Sequence, residues 1–516
     1  MRLRMAVVAL LSFFLSTLPL FAEREPVLSL TLEDCINKAL KNNLSVVIES
    51  FNPVIADYGL TRAREVFMPR LEFSYSSQKT QNPPYWWIEG ADTVRTRYSN
   101  FNASLVQQIP SGGSLSLSLS GYKSNTNQSF QLLNPRYGST LQFDFTQPLL
   151  RNFGARISRK DIIIARNNKD ISDYNFKALL LDTIYSVQEA YWSLVYAREN
   201  LKVKEYSLKL ARNLLEKNRK EVELGKLAPI EILNAESEVA SREADVIQAM
   251  SQVRRSADSL RAILNLEKEH KGRAKIIPLD RPEFTKKEVS LDEALKIVAE
   301  RRPELLAASV DVDSKELNLA VAKNRMLPQL DLNFSYWSPG ISGDRLLYLN
   351  DNPFTGIIVG KEDGSAFDSV RDTFRFLYSN WTLSLSLSLP LSSLTTRAEY
   401  GQAQLELKQS LARKERLAQD VMLEVRNAVR DIEANAKRVE AYRMARELAE
   451  KTLKAEEKKL EVGLSTNYFV LQYQEKLANA RSMELKALVD YNLSLAALEK
   501  AVGTSLEKRN IKIEKW

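Results

Sequence analysis

The sequence predicts a mainly α-helical fold that also contains membrane-crossing β-strands and is built as two tandem repeats. The segments Met68–Tyr75 and Leu327–Phe334 carry the same junction, at which a helical pattern stops at a proline and an alternating pattern begins. Long helical segments follow in both halves. Trp381–Leu389 alternates leucine with small polar residues, and its nine residues suffice for a tilted strand to cross a bilayer.

The first residues predict export from the cytoplasm. Arg2 and Arg4 precede an apolar run, and Ala22 stands before the charged residues that follow. This pattern is typical of a cleavable signal peptide, which we expect over residues 1–22 with cleavage near Ala22. No later run reaches the roughly 18 apolar residues that a spanning helix needs. The mature chain is therefore expected to be soluble outside the cytoplasm or to cross a membrane as strands.

The rest of the chain divides at a charged segment with glycine and proline residues. The predicted parts are a first repeat over residues 28–266, a linker over residues 267–287, a second repeat over residues 288–504 and a tail over residues 505–516. Both repeats begin with two short helices. The break between these helices falls at Leu44 in the first repeat and at Pro303 in the second.

The helical parts carry a heptad seam that predicts coiled-coil packing. A helix from Arg159 to about Glu223 would be roughly 100 Å long, beyond the length of ordinary globular helices. Gly225 and Gly463 interrupt the helical pattern at matching positions, so each half should end in an antiparallel helical hairpin with a glycine turn at its tip. The seam residues are Val187, Ala190, Leu194, Ala197 and Leu201 in the first repeat and Val425, Ala428, Ile432 and Val439 in the second.

The strands are expected to be apolar on one face and polar on the other, which suits lipid outside and water inside a barrel. A soluble sheet with one wet face gives the same pattern. Aromatic residues near the strand ends and one tight turn at Ser111–Gly113 favour the barrel. The candidate strands are Leu71–Gln78, Arg95–Ile109, Gly113–Lys123 and Thr140–Leu149 in the first half, and Gln329–Trp337 and Tyr378–Leu389, joined by a long loop, in the second.

Composition argues against an enzyme and against nucleic-acid binding. The 73 basic and 65 acidic residues give a net charge of +8, but both signs are interspersed along the helices, as on solvated surfaces. The single histidine, His270, lies in the linker, and the single cysteine, Cys35, is expected to be a small buried side chain. The sequence shows no metal-binding cluster, phosphate-binding loop or nucleophile elbow. We therefore expect no catalytic residues, no metal and no cofactor.

The ordered set of features, present twice, resembles the TolC-like outer-membrane efflux proteins over nearly all of the mature chain. The resemblance rests on the two junctions and on the strand exits and hairpin tips, which are Thr146–Leu150, Leu389–Leu391, Leu224–Lys226 and Val462–Leu464. It implies a homotrimer that shares one β-barrel in the outer membrane and one α-helical barrel in the periplasm. It also implies docking to a periplasmic adaptor (membrane fusion protein) and an inner-membrane RND or ABC transporter, for efflux or type I secretion.

The resemblance favours twelve strands in the shared barrel, four from each protomer. This number requires the hairpin formed by Arg95–Ile109 and Gly113–Lys123 to stay outside the barrel. If the hairpin inserts, the trimer has eighteen strands.

The resemblance also directs attention to the hairpin tips. Some relatives close the tunnel with acidic residues six and nine positions after the second turn glycine, where this chain has Phe469 and Gln472. We expect an apolar gate at Phe469 and Tyr468, while Glu231 keeps an acid six positions after Gly225. The alternative is that Phe469 packs between helices. The expected docking residues are Leu224, Gly225, Lys226, Leu227, Val462, Gly463, Leu464 and Ser465.

Two functions remain open at this point. The first is an outer-membrane duct through which solutes or polypeptides pass from periplasm to exterior. The second is a periplasmic coiled-coil adaptor or structural protein, which would need neither lipid-facing strands nor duplicated tips.

Overall fold

The computed structural model describes residues 27–266, 275–509 and 511. The signal peptide, its expected cleavage site at Ala22 and His270 lie outside the described residues. The helices are α1 (Leu32–Asn42), α2 (Leu44–Glu65), α3 (Ala155–Ser158), α4 (Lys160–Glu223), α5 (Ile230–Leu264), α6 (Leu291–Arg301), α7 (Pro303–Arg325), α8 (Ala366–Phe374), α9 (Leu394–Glu461), α10 (Asn467–Val502) and α11 (Ser505–Lys508). The strands are β1 (Val27–Leu30), β2 (Arg70–Asn82), β3 (Val94–Gln108), β4 (Ser114–Thr126), β5 (Leu133–Pro148), β6 (Lys275–Pro278), β7 (Gln329–Tyr348), β8 (Ile358–Glu362) and β9 (Asn380–Ser388).

The chain folds into two compact units, and each unit draws segments from both halves of the sequence. Among the described residues, the first unit contains those up to Phe51, those between 175 and 303, and those from Ala418 onward. The second unit contains Asn52–Tyr174 and Glu304–Leu417. Among the described residues, no helix combines the length and the apolar composition that crossing a membrane requires.

The core of the first unit forms around Tyr191, which is fully buried on α4. Its hydroxyl donates to the Asp280 carboxylate at 2.8 Å, and the same carboxylate accepts the Leu32 N–H at the start of α1 at 2.7 Å. The parallel pair of β1 and β6 and the apolar face of α1 pack on the same cluster. Cys35 is buried there, as predicted, and burial raises the pKa of its thiol to about 12.

The heptad seam is confirmed as the buried side of the long helices. Val187, Leu194, Val425 and Val439 are each fully buried, as expected for seam positions where one helix packs against another. The predicted helix breaks are also confirmed, because α1 ends at Asn42 just before Leu44 and α6 ends at Arg301 just before Pro303. The two long helices, α4 and α9, contain 64 and 68 residues.

The second unit contains a seven-stranded antiparallel sheet. The strand order is β2-β3-β4-β5-β7. The edge of β7 that faces away from β5 pairs with β9 at the N-terminal end of β7 and with β8 at its C-terminal end. The β3–β4 turn is the tight turn that the sequence predicts, with the Gly112 N–H bonded to the Ile109 carbonyl at 3.0 Å. Gly112 has φ +98°, a conformation that favours glycine.

The sheet corrects two expectations. The hairpin of β3 and β4 was expected to stay apart from the other strands, but it lies between β2 and β5, paired to both along its length. The segment between Trp337 and Tyr378 was expected to be a long loop, but it contains the rest of β7, the strand β8 and the helix α8. Pro339 and Gly340 break the alternation that predicts a strand, which explains the second error.

Gly340 has a packing role that the alternation rule does not consider. A Cβ atom at this position would lie 2.0 Å from the Ser369 carbonyl of α8, so only glycine lets the helix approach the strand. A hydrogen bond of 2.7 Å between the Ser139 and Thr373 hydroxyls holds α8 on β5 at the same level.

Candidate functional site

The first candidate surface is the sheet, whose two faces differ sharply in polarity. Side chains of neighbouring strands line up in rows because the register runs without interruption across β2, β3, β4 and β5. One apolar row contains Leu71, Leu105, Leu117, Phe143, Tyr336 and Trp381. A polar row on the opposite face contains Gln108, Ser114, Thr146, Asn333 and Ser384.

The two faces of the sheet are suited to different solvents. The members of the apolar row are exposed or half-exposed, so this face of the chain presents a wide apolar surface. The polar face is held by side-chain hydrogen bonds, such as Thr146 to Asn333 at 3.1 Å and Ser335 to Asp144 at 2.6 Å. This arrangement can place lipid on one side of the sheet and water on the other.

The second candidate site comprises the ends of the two helical hairpins, α4–α5 and α9–α10. Both ends use the same backbone turn. The Lys226 N–H bonds the Glu221 carbonyl and the Gly225 N–H bonds the Val222 carbonyl, and Leu464 and Gly463 repeat this pair of bonds after α9. The turn glycines have φ +69° and +77°, which other residues adopt only with strain. The predicted glycine turns are therefore present at both tips.

The tips expose large apolar side chains. Leu224 is 70% exposed, Val462 is 69% exposed and Leu464 is 79% exposed, whereas Leu227 and Ser465 are half-buried. The Ser465 hydroxyl donates to Glu456 at 2.5 Å, and Lys459 lies 3.2 Å from the other oxygen of the same carboxylate. These two contacts hold the pKa of Glu456 below its usual value.

The expected gate residues lie on the first turns after the tips. Phe469 is 45% exposed on α10, and its ring packs edge-on against Tyr468 with 5.7 Å between the ring centroids. Gln472 is half-buried one turn further along. Glu231 lies on the first turn of α5, where its backbone carbonyl accepts a hydrogen bond from the Asn218 amide at 3.4 Å. The structure thus brings Tyr468 and Phe469 together, while Glu231 belongs to the other hairpin.

Sequence reasoning missed a buried arginine that joins the two hairpins. Arg242 on α5 is 5% exposed, and its guanidinium donates to the Ser207 carbonyl at 3.0 Å, to the Leu471 carbonyl at 3.1 Å and to the Gln474 side chain at 3.2 Å. Glu238 lies 2.7 Å from its Nε and balances the charge. This contact ties α5 to α4 and to α10 of the second hairpin.

A signal for Arg242 is present in the heptad pattern. Ala235, Arg242 and Ala249 follow at steps of seven, and all three are buried. A charged residue at a seam position predicts a buried, bonded side chain rather than a solvated one.

The comparisons with known proteins decide the family. A family model described as outer membrane efflux protein matches residues 35–266 and 294–504. The chain belongs to the outer membrane efflux protein family. It is 25% identical over 394 residues to the outer membrane protein TolC of Vibrio cholerae serotype O1, covering 74% of this chain and 81% of that protein.

Solved structures show the same fold. The outer-membrane channel OprN superposes with a TM-score of 0.65 at 15% identity, covering 92% of this chain and 90% of OprN. The open state of the MtrE outer membrane channel of Neisseria gonorrhoeae superposes with a TM-score of 0.61 at 19% identity, covering 93% of this chain and 91% of MtrE. The predicted fold class is therefore confirmed.

Membership of this family also fixes the coarse function. The protein is an outer-membrane exit duct for efflux that extends into the periplasm, and it belongs to a family of channels rather than enzymes. The alternative of a separate periplasmic adaptor is excluded by the family match.

Proposed function

We propose that this efflux protein works as a homotrimer in a tripartite assembly, with its hairpin ends docked to a periplasmic adaptor. An inner-membrane transporter of the RND or ABC type would supply the energy. The same duct could serve efflux of small solutes or type I secretion of polypeptides, since both need a water-filled passage across the outer membrane.

The observation that carries the docking proposal is the repeated exposure of leucine and valine at the tips. Leu224, Val462 and Leu464 lie on turns whose backbone bonds are already satisfied, so their side chains are free to enter a partner's groove. An apolar helix–turn surface of this kind fits the groove of another coiled coil. Lys226 places a positive charge beside the apolar residues of the first tip.

We propose that Phe469 and Tyr468 form the constriction of the duct. Three copies of Phe469 would line the narrow end of the tunnel with apolar rings, and an apolar constriction stops ions by excluding water. The large exposed fraction of Phe469 in one chain supports a position facing the tunnel over one packed between the helices of the same chain. Gln472 and Glu231 would lie at the margin of this constriction.

Docking is tested with Leu464→Glu, with Leu464→Met as the matched control. Cells that carry only the glutamate variant should lose dye or antibiotic efflux, because a charge would enter the apolar contact, while the methionine variant should keep efflux. Heat-modifiable trimers should appear in outer-membrane fractions for both variants. Full efflux by the glutamate variant would refute the docking role of this tip.

The constriction is tested with Phe469→Ala, with Phe469→Leu as the matched control. In planar bilayers the alanine variant should conduct severalfold more than wild type, because the apolar ring is truncated. The leucine variant should conduct at about the wild-type level. An unchanged conductance for Phe469→Ala would show that the gate lies elsewhere.

A further inference from the structure

The strands β2 and β9 lie at the two edges of the sheet, and each has a paired strand on one side only. Within the described residues, β2 pairs only with β3, and β9 pairs only with β7. Both strands are exposed on almost every residue, whereas the strands between them are mostly half-buried. An unpaired strand edge cannot lie in hydrocarbon, because its N–H and C=O groups would have no partners.

The β3–β4 hairpin is a full part of this membrane-facing sheet. Its residues Leu105 and Leu117 continue the apolar row of Leu71, and Ser104 and Ser118 continue the polar row of Glu72. The backbone groups of β2 and β5 that face the hairpin are paired with β3 and β4, and β2 and β5 do not pair with each other. The four-strand protomer that the family resemblance suggests therefore does not fit this chain.

We infer that three copies of this chain close a single barrel of eighteen strands, in which β2 of each protomer pairs with β9 of the next. Each protomer contributes the six strands β2, β3, β4, β5, β7 and β9. Six strands are too few to close a transmembrane barrel, which needs at least eight. This inference rests on the trimer of the proposed function.

The strand number changes the width of the pore. With strands about 4.8 Å apart and tilted by about 40°, eighteen strands give a backbone diameter of about 36 Å and twelve strands give about 24 Å. The cross-section at the level of the membrane is then about twice as large. A barrel of this width would not be the narrowest part of the duct, so selection of the cargo would fall to the hairpin ends.

Electron cryomicroscopy of the purified full-length protein in lipid nanodiscs tests this inference. We expect three protomers and eighteen strands in a ring about 36 Å wide. A trimer with twelve strands, with the hairpin folded away, would overturn the inference and leave the proposed duct standing. Protein that is monomeric in outer-membrane lipid would overturn both.

A cross-link provides a second test in native membranes. The Ser77 and Ser99 hydroxyls lie 3.1 Å apart on β2 and β3, so Ser77→Cys combined with Ser99→Cys should form an intramolecular disulfide on mild oxidation. Ser77→Cys combined with Ser335→Cys, on the distant strand β7, should not. Absence of the first disulfide in outer-membrane trimers would show that β3 is not beside β2 there.

A separate observation concerns charge on the apolar face of the sheet. Lys79, Arg95, Arg97 and Lys123 are exposed and share the face of Leu71 and Leu117, several residues further along the strands. Lys79 lies directly opposite Arg97, an arrangement of like charges that is unfavourable unless an anion is near. Among the described residues, none of the four forms an ion pair, and Asp344, an acid of this face near Lys123, is already bonded to Lys361.

The position of this basic cluster corresponds to one membrane surface. The strand ends near Arg70 and Pro148 are joined in sequence to helical segments, and in the proposed duct the helical part lies in the periplasm, so we assign the opposite strand ends to the exterior. The four basic residues lie towards those exterior ends, beyond the apolar rows. This level corresponds to the headgroups of the outer leaflet.

We propose that the basic cluster binds the phosphate groups of outer-leaflet lipid. Native mass spectrometry of the trimer with bisphosphorylated lipid A as the probe should show retained lipid, because several fixed cations can contact each phosphate. The combination Lys79→Gln, Arg97→Gln and Lys123→Gln should reduce retention at least tenfold. Arg136→Gln is the matched control, since Arg136 lies at the same end on the opposite face and contacts the Tyr122 ring, and it should retain lipid normally. Equal retention by the triple variant and the control would refute the site.

Discussion

The buried arginine at position 242 provides the sharpest test of how the hairpins are held together. Replacing it with methionine keeps an unbranched side chain that can fill part of the same space, but removes all of its donors. The Gln474 side-chain oxygen would lose a buried partner, and the Ser207 and Leu471 carbonyls would each lose one bond. We expect Arg242→Met to lower the free energy of unfolding of the first unit, which contains all of these residues.

The size of this loss in stability depends on whether each former partner of Arg242 can form a hydrogen bond with water instead. Glu238 is 30% exposed at its side chain and can rehydrate, so the loss is smaller than for a fully buried ion pair. Leaving the Gln474 oxygen unpaired and losing two carbonyl contacts should cost about 2–4 kcal/mol. At about 2 °C per kcal/mol for a unit of this size, the melting temperature should fall by about 4–8 °C.

The assay is thermal melting of the purified trimer in detergent, followed by circular dichroism at a fixed scan rate. Arg255→Met is the matched control, because Arg255 lies on the same helix, is exposed and bonds only to Gln252 and Ser251 of its own helix. The control should change stability by no more than about 0.5 kcal/mol. If both variants melted at the same temperature, the contact between the hairpins would carry no stability and the reasoning would be wrong.

Three further predictions concern the tips and the core. Gly225→Ala and Gly463→Ala should each lower the free energy of unfolding by about 1 kcal/mol, because φ is positive at both turns. Gly59→Ala is the control: this residue lies inside helix α2 with open space around it, so the substitution should be neutral or stabilising in the same melts. Glu456→Gln should destabilise the second tip at neutral pH, as measured by faster hydrogen exchange of its backbone amides. Because the folded pKa of Glu456 is lowered, the difference in stability between the variant and wild type should be present above the unfolded pKa and should vanish as the pH falls through the folded pKa. A difference that stays constant at all pH values would exclude the carboxylate contact. Cys35 should resist maleimide at pH 7.4 until the protein is unfolded, since burial keeps it a thiol, and rapid labelling of the native protein would contradict the described core.

Periodicity was sufficient to predict most of the elements. The alternation of Leu383, Leu385 and Leu387 with small polar residues predicts β9, and the heptad through Val187 and Leu194 predicts the buried side of α4. Gly225 and Gly463 predict the tips because a helix end with positive φ is a local property of the backbone. These features depend on neighbours in the sequence, so a single sequence contains them.

The features that sequence reasoning missed depend on distant pairing. The place of the β3–β4 hairpin is set by its register with β2 and β5, and a strand pattern does not say which strand it pairs with. Gly340 breaks the pattern of β7 because α8 packs against it, a contact with residues about thirty positions away. The heptad position of Arg242 indicates burial, but its partner, the Gln474 side chain of the other hairpin, lies far away in the sequence and no local pattern identifies it.

The most direct test of the central claim is the solvent that each face of β9 meets in the membrane. A fluorophore attached through Leu385→Cys in the trimer, reconstituted in outer-membrane lipid, should be quenched by nitroxide-labelled lipid and protected from aqueous iodide. A fluorophore attached through Ser386→Cys should show the opposite behaviour. Iodide quenching of equal strength at both positions, with no quenching by the labelled lipid, would contradict the account.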